Sequence, residues 1–349
     1  MRVREVAILG ASGLVAQRFQ QRLANHPWFE LVAVYGSPRT AGRGLDDLEW
    51  HLPESRPDIH PMQIRSMDSL MTDVEDFEVV FSALPSEVAM TVEKPLAEKG
   101  IFVFSNASTH RMDDEVPLVI ADLNPHHLLP LRAHEAPPGF IACSTNCTVV
   151  PAALPLKPLW DFIGLDRVSI TTEQSISGGG YELLKKFRET GEHPKEIPGE
   201  AEKVHEECLS LLGRAQENGV RPANLPVEVH VRRVSREYGH IVNVEAELHF
   251  EKDIEEVREW MVNYKSRPQA LELPSAPTSP FIFVDELIPE AMGNPAENLK
   301  AGMAIRINNF TVSGKSVSFR AWSANTIRGA AGGTVLLAEL AVAEGMLGE

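Results

Sequence analysis

A Rossmann-type doubly wound α/β domain followed by an α+β domain is the fold predicted by this 349-residue sequence. Three observations carry that expectation. Short β-rich runs alternate with helical patterns up to about residue 145, which is the signature of βαβ units and a parallel sheet. A glycine-containing turn follows the first run directly. From about Cys147 the pattern changes, and the later segments, from Glu228 on, alternate with a period of two, as in a sheet with one covered face.

Arg4 to Leu9 is the first expected strand, Leu31 to Tyr35 the second, and Val79 to Ala83 and Ile101 to Ser105 two more. Val15 to Asn25 and Glu87 to Lys99 are the helical stretches between them. Beyond Cys147 the pattern predicts a helix to Phe162, a strand over Arg167–Glu173, a turn at Ser177 to Gly180 and a charged helix over Gly199–Leu212. Strands follow at Glu228–Val234, Ile241–Phe250 and Val317–Trp322, and the proline-rich Leu273–Pro280 reads as a connecting loop. The expected division is residues 1–146 and 147–325, with a helix within 326–349 returning to the first domain. A chain of this length exceeds the roughly 250–300 residues at which one core stops growing.

The bulk composition, 43% apolar and 23% charged, is that of an ordinary globular protein. A formal net charge of −16 disfavours nucleic acid or an anionic membrane as partner, and a small anionic substrate would need its own local cations. No stretch approaches the ~20 apolar residues of a membrane span, and the opening strand leaves no room for a signal peptide, so a cytoplasmic location is expected. Three cysteines make no disulfide framework and are expected as free thiols.

Gly10-Ala11-Ser12-Gly13-Leu14-Val15-Ala16 stands between a strand and a helix, where backbone N–H groups and the helix dipole can meet a dinucleotide pyrophosphate. No Asp or Glu ends the second strand to take a ribose 2′-hydroxyl. Ser37 and Arg39 stand there instead, and guanidinium suits a 2′-phosphate, so NADP is favoured over NAD. The competing reading is that Arg39, with Arg43, merely solvates a loop.

Among the cysteines, Cys208 reads as a packing residue in a charged helical run. Cys147 sits where Thr148-Val-Val-Pro begins a helix, and the positive end of a helix dipole favours thiolate. His126, His127 and His134 precede Cys143 and Cys147, but the spacing matches no zinc pattern. Those histidines are expected on a surface loop, and no metal is expected.

Gly10-Ala-Ser-Gly13, Phe81-Ser-Ala-Leu-Pro-Ser86, Phe104-Ser-Asn-Ala-Ser-Thr-His-Arg111, Asn146-Cys147-Thr148, Ser177-Gly-Gly-Gly180 and Asn325-Thr-Ile-Arg-Gly-Ala-Ala-Gly332 occur in that order. Together they resemble the aspartate-β-semialdehyde dehydrogenase family, especially its archaeal and fungal branch. The resemblance implies an NADP domain, a catalytic and dimerisation domain, and a homodimer or homotetramer acting on a small-molecule substrate and phosphate. It places the nucleophile on Cys147, the general acid/base on His240 and a substrate-orienting glutamine on Gln174. Substrate contacts fall on Arg111, Asn146, Glu200, Lys203 and Arg233. Glu200 would hold the amino group, Arg233 the α-carboxylate, and Arg111 and Lys203 the phosphate. Cofactor contacts are expected from Gly10 to Val15, with Ala11 and Leu14 among them, and from Ser37, Arg39, Ser82, Ala83, Leu84, Ser177, Gly178, Asn325 and Thr326.

The implied activity interconverts L-aspartate 4-semialdehyde plus phosphate and L-aspartyl 4-phosphate through a cysteine thioester, in the biosynthesis of aspartate-derived amino acids. Residues 281–300 and Trp322-Ser-Ala-Asn325 depart from the family pattern. A malonyl-CoA reductase of the same fold is one alternative, and a catalytically idle NADP-binding regulator is another.

Overall fold

The computed structural model describes residues 2–133, 139–216 and 219–348. The first sheet consists of β1 (Arg4–Leu9), β2 (Phe29–Gly36), β3 (Arg65–Ser66), β4 (Val79–Ser82), β5 (Phe102–Ser105) and β6 (Phe140–Cys143). Its connections hold α1 (Leu14–Leu23), α2 (Ser86–Glu98) and the single turn α3 (Pro130–Ala133). The order is β3-β2-β1-β4-β5-β6, with every pairing parallel. Val6, Ala7, Ile8 and Leu9 are all fully buried, because a parallel sheet is covered on both faces and its strands read as continuous apolar runs. The order reverses between β1 and β4, so a crevice opens beyond their carboxyl ends, at Gly10 and Ala83.

The second half of the chain contributes α4 (Val149–Phe162), β7 (Leu165–Gln174), α5 (Tyr181–Thr190), α6 (Glu200–Leu211) and the small pair β8 (Arg214–Gln216) and β9 (Gly219–Arg221). Then come β10 (Val227–Arg233), β11 (His240–Leu248), α7 (Ile254–Val262), α8 (Arg267–Ala270), β12 (Phe281–Phe283), β13 (Ile305–Ser313), β14 (Ser316–Ser323) and α9 (Gly332–Ala343). The mixed second sheet runs β10-β7-β11-β14-β13-β12. Its register decides where chemistry can happen: Arg233 pairs with Gln174, Glu173 with Ile241, and His240 with Ser323. Arg233, Gln174 and His240 thereby meet at one end of the sheet.

Several elements differ from expectation. β3 and β6 are too short to show a period, and α5 and α7 lie in segments whose charge masks their single apolar stripe. His127, expected on a surface loop, is 2% exposed, with Nδ1 against the Asn124 amide and Nε2 against the Gly213 carbonyl. Burial lowers its pKa to about 4, so it is a neutral core residue. His126 is half-buried, and His134 lies outside the described residues.

One core runs from a face of the first sheet through α4 to the covered face of the second. A second core joins the other face of the first sheet to α9, where Val335, Leu336, Leu337 and Leu340 are fully buried among Val6, Ile8 and Phe81. Each such side chain contributes roughly 1.5–3 kcal/mol of burial. Buried Glu339 on α9 accepts from the Ser275 amide at 3.0 Å and faces His26 Nε2 at 2.9 Å, so it also fixes the proline-rich loop. A third, small cluster of Leu14, Leu52, Ile176 and Leu184 joins the start of α1 to α5.

Candidate active site

Cys147 lies four residues beyond the end of β6, past the carboxyl edge of the first sheet, and just before α4, whose N-cap is Thr148. Its Sγ lies 3.1 Å from His240 Nε2, so strand ends separated by more than ninety residues meet at one contact. Cys147 as a residue is only partly buried, while His240 is fully buried. A Cβ added at Gly329 would come within 2.7 Å of the Cys147 Cβ. Only glycine lets the irregular Ile327–Ala331 segment, kinked at Ala330, back directly onto the nucleophile.

The expected helix-induced thiolate is corrected by the surroundings. Burial first, then the negative charge of Glu200, pushes the Cys147 thiol up to about 12, against opposing help from Arg111 and Thr148. Burial, with Arg236 and Arg233 nearby, holds His240 down near 3. Burial thus favours the neutral form of each partner, working against the helix start. Cys143 and Cys208 are buried and pushed higher still or equally high by burial, with no imidazole partner among the described residues.

Glu200, the first residue of α6, collects the polar groups beside the sulfur. Asn146 Nδ2 donates to its Oε1 at 2.9 Å and Gln174 Nε2 at 3.0 Å. Arg233 is 8% exposed and spends Nη1 on the Ser175 carbonyl at 2.9 Å, leaving its Nε without a partner among the described residues. Lys203 is exposed on the same helix, and no ion pair holds it among the described residues. Arg111 donates to Glu207 at 3.0 Å and to the Asn106 carbonyl at 2.9 Å.

Glu207 is the residue that sequence reasoning missed. It is 3% exposed and accepts from Thr145 Oγ1 and the Asn146 amide, both at 2.6 Å, besides Arg111. It thus clamps the chain entering Cys147. A signal existed: Glu200, Lys203, Val204 and Glu207 share one helical face by their spacing of three, four and seven.

The turn after β1 is built of backbone. Gly10 has φ +96°, and a Cβ there would come within 2.9 Å of the Ala83 carbonyl oxygen. Gly13 caps α1 without a side-chain hydrogen bond, and a Cβ at Gly13 would meet only open space. The first-turn N–H groups therefore point outward with no acidic residue among them, as an anion-binding helix start requires. Ser12, Ser37 and Arg39 are exposed, Ala11 and Leu14 are buried, and Val15 and Ala83 are partly buried. These residues fit a dinucleotide with a 2′-phosphate. Leu84 is nearly buried, and Ser82 is fully buried beside Glu93. Thr326 Oγ1 accepts from Arg18 at 3.1 Å, and exposed Gly178 leans on the His240 ring. Ser177 and Asn325 are buried and face one another rather than solvent.

No helix among the described residues is long and apolar enough to cross a membrane. Residues 5–130 match the semialdehyde dehydrogenase NAD-binding domain family. Over 347 residues, covering 96% of this chain and 98% of the relative, the chain is 38% identical to an aspartate-semialdehyde dehydrogenase of Methanothermobacter thermautotrophicus. It is 30% identical to the NADP malonyl-CoA reductase of Metallosphaera sedula, over 99% of both chains. The aspartate-semialdehyde dehydrogenase of Candida albicans, solved with NADP, superposes with a TM-score of 0.82 at 28% identity over 99% of both chains.

Proposed function

The chain belongs to the aspartate-semialdehyde dehydrogenase family, and from that premise we propose that it is the NADP-dependent enzyme interconverting L-aspartate 4-semialdehyde plus phosphate and L-aspartyl 4-phosphate. The observation that carries the reading is the Cys147–His240 contact of 3.1 Å, flanked by an acidic Glu200 and a buried Arg233. A substrate that bears an ammonium and a carboxylate on one carbon needs an acid and a cation near one another beside the sulfur, and Glu200 and Arg233 are close enough for their charges to interact.

In the oxidative direction the Cys147 sulfur bonds to the aldehyde carbon, and the carbonyl π pair moves onto oxygen, where His240 manages the charge. NADP, held by the turn Gly10–Val15 with Ser37 and Arg39 at the 2′-phosphate, supplies hydride-accepting chemistry when bound. Phosphate, gathered by Arg111 and Lys203, displaces sulfur from the resulting thioester, so covalent attachment divides one hard step into two easier ones. Glu200 receives the ammonium and Arg233 clamps the carboxylate, while Gln174 and Asn146 keep Glu200 in place. Glu207 holds Arg111 and the chain before Cys147 in register. The division into an NADP domain over 1–146 and a catalytic, dimerising domain over 147–325, a homodimer or homotetramer, and a cytoplasmic location complete the proposal.

The test is an NADP-linked assay of the purified protein with aspartate semialdehyde plus phosphate beside one with malonyl-CoA. Turnover of the first and not the second is expected. Robust malonyl-CoA reduction with the semialdehyde inert would overturn the substrate assignment and leave the cysteine chemistry standing.

A further inference from the structure

We propose that Glu93, Ser105 and His110 are positioning residues for the phosphate step, fastening to α2 the loop that carries Arg111 and aiming its guanidinium. The inference rests on Arg111 as a phosphate contact in the proposed reaction and deepens that reading by naming what holds the arginine.

Glu93 is out of place in its helix. It is fully buried on α2 beside Ala89, Leu96 and Ala97, which pack into the core. A carboxyl group there is costly unless other groups bond it, and burial raises it above the ordinary carboxylate range. Ser105 Oγ donates to its Oε1 at 2.7 Å and itself accepts from the Ala107 amide at 3.1 Å. Ser82 adjoins the same group, and His110 Nε2 faces the second oxygen at 4.0 Å, close enough for charge but beyond a hydrogen bond.

The Ala107 N–H shares its peptide unit with the Asn106 carbonyl. A trans peptide is planar, with N–H and C=O pointing opposite ways. Trapping that N–H on Ser105 therefore turns the Asn106 carbonyl to the other side, where it accepts from Arg111 Nη2 at 2.9 Å. Glu93 thus reaches Arg111 through one hydroxyl and one peptide.

The loop next to Arg111 is fastened to the same helix. His110 is 4% exposed and sets Nδ1 2.8 Å from Asp113 Oδ2, and Lys94 holds that carboxylate at 3.1 Å. Thr109 Oγ1 donates to the Ser86 carbonyl at 2.7 Å, and the Ser86 and Ser108 hydroxyls lie 2.9 Å apart. Ser86, Glu93 and Lys94 share one face of α2 by their spacing of seven and eight, so that face meets the loop at several points. Arg111 has its Nη1 on Glu207 at 3.0 Å and a buried Nε without a partner among the described residues. A guanidinium held by a carboxylate and a carbonyl presents its remaining N–H groups in a fixed direction, as planar recognition of phosphate needs.

The test is steady-state kinetics of the full-length enzyme with NADP, aspartate semialdehyde and inorganic phosphate. Ser105→Ala should lower kcat/KM for phosphate on the order of tenfold and leave the KM for NADP and for the semialdehyde within about twofold. His110→Ala should lower it by about threefold, and His110→Asn, which keeps an N–H for Asp113, should restore it. Glu93→Asp keeps the charge but shortens the reach and should match Ser105→Ala, whereas Glu93→Gln keeps an oxygen for Ser105 and should stay near wild type. Because these residues act through Arg111, adding Ser105→Ala to Arg111→Ala should cost no more than about twofold beyond Arg111→Ala alone. Losses that fall equally on all three substrates, that add in full to that of Arg111→Ala, or that raise the KM for NADP alone overturn the proposal. So does a normal Glu93→Asp beside an impaired Glu93→Gln. A wild-type enzyme inert with semialdehyde and phosphate would instead sink the function from which the proposal starts, so the two failures are told apart.

Discussion

Around Cys147 the buried side chains are tied to one another, from Glu207 through Asn146 and Glu200 to Gln174. The turn after β1 offers the reverse: outward backbone N–H groups, an uncapped helix start, and exposed Ser37 and Arg39. The difference follows from what each end must do. A reacting centre gains from fixed groups in a poorly solvated setting, where preorganised charge costs nothing to rearrange. A cofactor that binds and leaves in each cycle is better served by a surface that is already solvated and needs little rebuilding.

The comparison is sharpened most by the nucleophile. Cys147→Ala should lower turnover by about 10⁴-fold or more while NADP affinity stays near wild type, since the sulfur is no part of the turn that holds the dinucleotide. Cys143→Ala, on the core strand β6, is the control and should stay active; the reverse pattern would break the assignment of roles to the two ends.

The protonation state of the buried end comes next. With the Cys147 thiol pushed up to about 12, the thiolate fraction should grow tenfold per pH unit. Iodoacetamide alkylation of Cys147 should therefore rise by about 10³-fold between about pH 6 and pH 9 without levelling. A plateau that begins near neutrality would mean that the helix terminus outweighs burial after all.

A smaller loss is expected from Glu200→Gln. It removes the charge that faces the ammonium yet leaves an oxygen for Asn146 and Gln174, and kcat/KM for aspartate semialdehyde should fall on the order of a hundredfold. Wild-type kinetics would remove the amino-acid clamp from the site.

At the open end the effect should be the smallest and confined to one cofactor. Arg39→Ala loses a charge-assisted phosphate contact of about 1.5–3 kcal/mol, so the KM for NADP should rise roughly ten- to a hundredfold with NAD use little changed. Equal losses with both cofactors would show that Arg39 only solvates its loop.

The two ends also differed in how well they could be read from sequence. The cofactor turn is local: Gly10 and Gly13 follow a strand and precede a helix, so the geometry was legible from neighbouring residues. Cys147 and His240 were placed by motifs that resemble a family, whereas their protonation was not, because a helix start is visible in sequence and desolvation is not. Glu207 escaped notice because a glutamate in a charged helical run reads as solvated, and its partners Thr145 and Arg111 come from other elements. His127 misled for the converse reason: the proline-flanked Pro125-His-His-Leu-Leu-Pro130 reads as a loop, yet His127 is buried in three dimensions.

Gly329 presses its backbone against Cys147, and α9 beyond it fills the core of the first sheet. A ribosome delivers the chain from the N-terminus at about 5–20 residues per second. The nucleophile therefore emerges well before the wall that backs it, and the growing chain passes through an interval of about ten seconds or more with Cys147 present and its pocket unfinished. Fragments ending short of Gly329 should be inert toward substrate, and a separately supplied C-terminal piece would have to dock along α9 before it could restore the pocket.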